Sequence, residues 1–111
     1  MGMGGNRKFI EKSLSKNKLD FCYCISEYPL DIKKIDWKNS IKFTGFSDHT
    51  LGITAPIVYS SLMNQRKIKS VFIEKHVKLS HSKSLDASTS IDTNELSIMN
   101  NCLREIEKIK L

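Results

Sequence analysis

The sequence predicts an α/β fold built on parallel strands, and three observations predict it. Short apolar runs rich in strand formers alternate with segments of helical periodicity, as strands joined by right-handed crossovers do. The runs are continuous, as strands buried on both faces are. Two of them end in a histidine flanked by polar groups: Gly45-Phe46-Ser47-Asp48-His49-Thr50-Leu51-Gly52 and Ile73-Glu74-Lys75-His76. Parallel barrels carry their reactive residues at such strand ends. Periodicity alone leaves open whether these strands belong to a barrel sector or to a small open sheet.

Taken in order, Asn6 to about Lys16 reads as an amphipathic helix, with Phe9, Ile10 and Leu14 on one side, lysines opposite and Asn6 as N-cap. Residues 19–25 form the first strand-like run, and Tyr28-Pro29 gives it an extended exit, because the residue before proline avoids the α region. Residues 31–40, with Ile32, Ile35 and Trp37, make a short helical connector at best. Residues 41–46 are the second strand. Gly45 and Gly52 bracket a Ser-Asp-His turn where crowding near a ligand favours glycine. Residues 55–63 read as a buried helix with Pro56 early, where its missing N–H matters little. Residues 70–75 are the third strand, and residues 80–90, with five serines, a loop. Asp92 and Glu95 form a capping box, and Leu96, Met99, Leu103 and Ile106 stripe the last helix. The order is α-β-α-β-α-β-α, with the three strands expected parallel and adjacent in sequence order.

The chain has 111 residues, one domain at most. A complete eight-stranded barrel needs about 250 residues. The net charge of +6 is spread over lysines that interleave with apolar residues at helical spacing, the pattern of solvated helix faces. With no aromatic stacking stripe and no nucleic-acid motif, a nucleic-acid partner is not expected. Neither a signal-peptide core nor a run of about 20 apolar residues occurs, so no membrane association is expected and the cytoplasm is the default. Cys22, Cys24 and Cys102 are an odd set without a Cys-x-x-Cys pair, read as small buried fillers in a reducing compartment.

His49 and His76, 27 residues apart, can meet if they end adjacent strands. Strands lie about 4.8 Å apart, so two imidazoles could converge on one ion at about 2.1 Å each. Capping the strands by hydrogen bonds is the alternative. Ser47 and Asp48 suit an anionic ligand or an ordinary strand-end turn; Asp48 could also orient an imidazole N–H. Ser26 and Tyr28 alternate and can face the same mouth, or Tyr28 can be a core-edge aromatic. Glu74 reads equally as an acceptor behind a ligand and as a charge on the barrel exterior. His81, five residues after His76, adds no second metal site, since neither lies in a recognised ligand cluster.

Cys24-Ile25-Ser26-Glu27-Tyr28-Pro29, Gly45 to Gly52 and Ile73 to His76, in that order and spacing and followed by Asp92-Thr93-Asn94-Glu95-Leu96, resemble the sialic acid synthase family. That family includes N-acetylneuraminate, legionaminate and pseudaminate synthases, and the resemblance runs to about Ile106. It implies a partial (β/α)8 TIM barrel: parallel strands six to eight with flanking helices. The first five strands and a C-terminal antifreeze-like domain lie outside residues 1–111, and Gly2-Met3 resembles the end of the family's fifth strand. A truncated or split reading frame is the simplest explanation of that placement.

The implied reaction condenses phosphoenolpyruvate with an N-acylated amino-sugar of the N-acetylmannosamine type, giving a nine-carbon 2-keto sugar acid for surface glycans. The resemblance makes His49 and His76 ligands of a divalent metal, manganese with magnesium or cobalt as alternatives. It makes His49, His76 and Tyr28 catalytic, and Ser26, Tyr28, Ser47 and Asp86 substrate-binding. Asp86 stands in Ser84-Leu85-Asp86-Ala87, where the family has Gly-Pro-Asp-His. The first-strand glutamate, the early phosphate-binding lysines and an arginine from the homodimer partner fall outside this stretch, so the chain is expected to need the missing barrel half. A non-catalytic truncated product, or a small metal- or anion-binding module, is the alternative.

Overall fold

The computed structural model describes residues 5–79 and 89–111. It is a mixed α/β structure: a three-stranded parallel sheet with flanking helices, in the strand order β1 (Cys22–Cys24), β2 (Gly45–Asp48), β3 (Phe72–Lys75). The first helix, α1 (Arg7–Ser13), starts where Asn6 Oδ1 accepts the Phe9 amide at 3.0 Å. It stops at Ser13, short of Lys16, because the chain turns there: the Leu14 amide bonds Ile10 and the Asn17 amide bonds Leu14.

The connector from β1 to β2 is a 3-10 turn, Ile32–Lys34, and one short helix, α2 (Trp37–Ser40). Each is capped by an aspartate, Asp31 or Asp36, whose carboxylate accepts an amide of the first turn. The strand expected at residues 41–46 begins later and runs further. Ile41 ends α2, and the Lys42 and Phe43 amides bond back to Asn39 and Ser40, so this stretch is a turn. The ladder starts where the Gly45 amide reaches the Phe21 carbonyl and the Phe72 amide reaches Thr44. Ser47 and Asp48 therefore lie within the strand and not in a turn after it. All of β2 is buried, as a central strand should be.

Phe46 anchors the core. Its ring, 1% exposed, stacks with Tyr59 (4.9 Å between centroids), Tyr23 (5.9 Å) and Trp37 (6.0 Å). Tyr59 belongs to α3 (Thr54–Gln65) and donates its hydroxyl to the Phe43 carbonyl at 2.7 Å. Burial pushes the Tyr59 phenol up to about 12, because a buried phenolate would lose its hydration.

The last helix, α4 (Thr93–Lys108), opens on the expected capping box: Asp92 accepts the Glu95 amide and Glu95 reaches back to the Asp92 amide. Asn64 of α3 donates its side-chain amide to the Ile106 and Ile109 carbonyls, tying α3 to the end of α4. A cavity of about 990 Å3 lies between α3, β3 and α4, lined by Met63, Ile73, Met99, Leu103 and Ile106 among others. Among the described residues no helix is long and apolar enough to cross a membrane.

Candidate functional site

Parallel pairing puts Cys24, Ser47 and Glu74 side by side, then Asp48 beside Lys75. His49 and His76 follow each strand by one residue, so equal register brings them out together at the carboxyl end. Side chains alternate along a strand. Because Phe46 packs on Tyr59 of α3, Tyr23, Phe46, Asp48, Ile73 and Lys75 face the helices. Cys22, Cys24, Gly45, Ser47, Phe72 and Glu74 face away, and the two histidines continue that second row.

This second face is exposed along β3, while Ser47 and His49 on it are buried. Phe72 is 40% exposed, and its ring lies so close over Gly45 that a Cβ there would come within 2.2 Å of it. The neighbouring ring thus occupies the space that a side chain at this position would take. Gly52 is required for a different reason: its φ is +71°, the left-handed region. Cys22 and Cys24 are half-buried on this face instead of filling the core. Burial, then the Glu74 carboxylate, raises the Cys22 thiol above its ordinary value. Glu74 is therefore on the face of the histidines, not on the helix-covered exterior.

His49 is 5% exposed and its ring is held on both sides. Nδ1 lies 2.7 Å from the Ile25 carbonyl, which can only accept, so Nδ1 carries the proton. In the neutral ring Nε2 is then the lone pair, and it accepts from the Tyr28 hydroxyl at 2.9 Å, with the Ser47 hydroxyl at 3.4 Å. The His49 carbonyl accepts the Leu30 amide at 2.9 Å, just beyond the cis Tyr28-Pro29 peptide. The Tyr28 ring stacks on His49 with centroids 4.0 Å apart and stands 6.2 Å from His76. The two imidazoles are 6.2 Å apart, at 83° to each other.

The structure therefore gathers Tyr28, Ser47, His49 and His76 at one strand end. Ser26 is exposed beside Ile25, at the same end. Asp86 and His81 lie outside the described residues. Asp48 departs from the sequence expectation that it could orient an imidazole. The Ile25 carbonyl does that, and Asp48 points the other way, where Lys75 Nζ meets Oδ2 at 2.8 Å and the Thr50 amide meets Oδ1 at 2.8 Å. Lys75 was not singled out by sequence. Its signal was its place between Glu74 and His76, which becomes meaningful only once the β2–β3 register is known.

The arrangement fits a divalent metal in part. With ligand bonds of about 2.1 Å and a ring radius of roughly 1.2 Å, two imidazoles on one ion have centroids up to about 6.5 Å apart. The observed 6.2 Å is inside that limit but wider than the roughly 4.7–5.4 Å of two ligands at angles of about 90–110°, so the rings would have to close by about 1 Å to share an ion. His49 presents the neutral lone pair a metal needs, with the opposite N–H on a carbonyl, as metal-binding histidines do. Among the described residues no group of three or more His, Cys, Asp or Glu is placed to hold an ion.

The sequence model of the NeuB family matches residues 7–110. The chain is also similar to "Uncharacterized protein MJ1065" of Methanocaldococcus jannaschii, at 35% identity over 96 residues, 78% of this chain and 26% of that protein. The chain thus spans about a quarter of the length of that relative.

Proposed function

This chain belongs to the NeuB family of sialic acid synthases, and on that premise we propose that it is the part of a (β/α)8 barrel carrying strands six to eight and the metal-side half of the active site. The reaction joins the methylene carbon of phosphoenolpyruvate to the aldehyde carbon of an open-chain N-acylated amino-sugar. Water adds to the carbon bearing phosphate, the carbon–oxygen bond to phosphate breaks, and the products are a nine-carbon 2-keto sugar acid and inorganic phosphate. The carrying observation is the meeting of His49 and His76 at the ends of adjacent parallel strands, with the Tyr28 and Ser47 hydroxyls aimed at the His49 lone pair.

His49, through Nε2, and His76 would hold a divalent ion, manganese by family resemblance. When bound, it would supply Lewis-acid polarisation of the sugar aldehyde or orientation of the attacking water. This chain's own groups would contribute part of the remaining site. The Ile25 carbonyl fixes the His49 tautomer and ring orientation. The Tyr28 and Ser47 hydroxyls can turn from His49 to donate to phosphoenolpyruvate oxygens. Ser26 at the same end would add a contact, and Asp86 would bind the amino-sugar. Cys22, Cys24 and Cys102 are in no disulfide, which suits a reducing cytoplasm, where phosphoenolpyruvate is found.

Barrel catalysis draws residues from several strand ends, and the chain spans 26% of its relative. The isolated 111-residue chain should therefore release no phosphate from phosphoenolpyruvate and N-acetylmannosamine with manganese. Co-expressed with a fragment carrying the preceding five strands and the C-terminal domain of a family member, it should do so, and His49→Ala should remove the activity. Turnover by the chain alone that His49→Ala abolishes would refute the partial-site reading. No turnover in a folded, associated pair would refute the synthase reading.

A further inference from the structure

We infer that the buried Asp48–Lys75 ion pair is a positioning clamp: it fixes the direction in which His49 leaves β2 relative to His76. Lys75 and Asp48 are Cα partners in the parallel ladder, and each immediately precedes one of the histidines. Their side chains are 2% and 0% exposed, and Nζ lies 2.8 Å from Oδ2. Such a pair is costly to bury unless further hydrogen bonds complete it, and the atoms that complete it are informative. Lys75 Nζ also donates to the Thr50 carbonyl, while Asp48 Oδ1 accepts the Thr50 amide at 2.8 Å. Both backbone groups of the residue after His49 are thus tied to the pair, and the residue before it is a member of it. With the His49 carbonyl held by Leu30, the backbone on both sides of the histidine is immobilised. The carboxylate holds the Thr50 amide, and the ammonium of Lys75, the residue before His76, holds its carbonyl. The clamp lies on the helix side of the sheet, so it touches neither substrate nor metal. It acts through the His49 backbone.

The inference rests on the proposed metal role only for its consequence; the clamp itself is a statement about the His49 ring. The test uses the 111-residue chain, Lys75→Met, and the double variant Asp48→Asn/Lys75→Met, which leaves no unpaired buried charge if the single variant does not fold. Folding is followed by circular dichroism and urea titration. The His49 tautomer is read by long-range 15N–1H NMR, and manganese binding by loss of the free Mn2+ signal in electron paramagnetic resonance. The clamp predicts that a folded variant loses the single Nδ1–H tautomer of His49 and binds Mn2+ about tenfold or more weakly, the size of effect seen when groups behind a metal ligand are removed. A folded variant with the parent tautomer and parent Mn2+ affinity would overturn it. If the parent chain binds no Mn2+, the metal reading fails while the tautomer still decides the clamp. Failure of the double variant to fold would make the pair a determinant of folding, not of ring orientation, and would also overturn it.

Discussion

The two faces of the sheet are built from the same two tetrapeptides, Ser47-Asp48-His49-Thr50 and Glu74-Lys75-His76-Val77, yet they are closed to different degrees. Towards the helices, Asp48 and Lys75 are buried and fully paired, and Phe46 is enclosed by three rings. Towards the other side, Tyr28 is 50% exposed, Phe72 is 40% exposed and the two histidine rings stand nearly perpendicular, 6.2 Å apart. Period-two alternation separates adjacent residues onto surfaces with opposite tasks. The closed face holds the strands in register, and the other face sets the exposed Tyr28 over Ser47 and His49, which are 6% and 5% exposed. Neighbours in sequence are therefore poor guides to shared function here.

Four perturbations test that division, from the largest expected effect downwards. On the closed face, Lys75→Met leaves a buried carboxylate unpaired and should destabilise the chain by about 3–5 kcal/mol. Urea unfolding would show it as a lower midpoint at constant slope. A loss under about 1 kcal/mol would mean that the closed face is not closed.

Alkaline pH probes the same face. The Tyr59 phenol in the folded chain stands at about 12, above the ordinary value near 10. Its contribution is therefore complete below about pH 10 and is lost as pH rises through 12. Two units correspond to about 2–3 kcal/mol. Tyr59→Phe should flatten the stability profile across that window, at a neutral-pH cost of about 1 kcal/mol for the bond to Phe43. An unchanged alkaline slope in that variant would place the titration elsewhere.

On the other face the stability effects should be smaller. His49→Ala removes the bond to the Ile25 carbonyl and should destabilise by about 1 kcal/mol, while abolishing Mn2+ binding. A stability loss as large as that of Lys75→Met would erase the contrast between the faces. Smallest of all, Glu74→Gln should change stability by no more than about 0.5 kcal/mol. It removes a charge that raises the Cys22 thiol, so Cys22 should alkylate faster at mildly alkaline pH, read by mass spectrometry of its peptide. Slower alkylation would contradict the placement of Glu74 on that face.

The sequence made the local devices legible. Asn6 as N-cap and Asp92 with Glu95 as a capping box are found as expected, because a cap is decided within four residues. Strand order and parallel pairing followed from the crossover rule together with the family resemblance, and the His49–His76 meeting followed from the motifs. The start of β2 was misplaced because Ile41 and Phe43 look like strand residues. They pack from a turn instead, Phe43 edge-on to Tyr23 with centroids 6.1 Å apart. The Asp48–Lys75 pair was not legible, since it depends on a register between segments 27 residues apart. Asp48 beside His49 suggested a hydrogen bond between them that alternation forbids. The barrel itself goes beyond a three-stranded sheet and rests on family membership.

The most direct measurement of the central claim, that His49 and His76 share one ion, is paramagnetic broadening in the 15N-labelled 111-residue chain. Substoichiometric Mn2+ should broaden the imidazole signals of His49 and His76 together, at the same concentration, and His49→Ala should protect His76 from broadening. Broadening of one ring without the other, or of His76 undiminished in His49→Ala, would contradict a shared site.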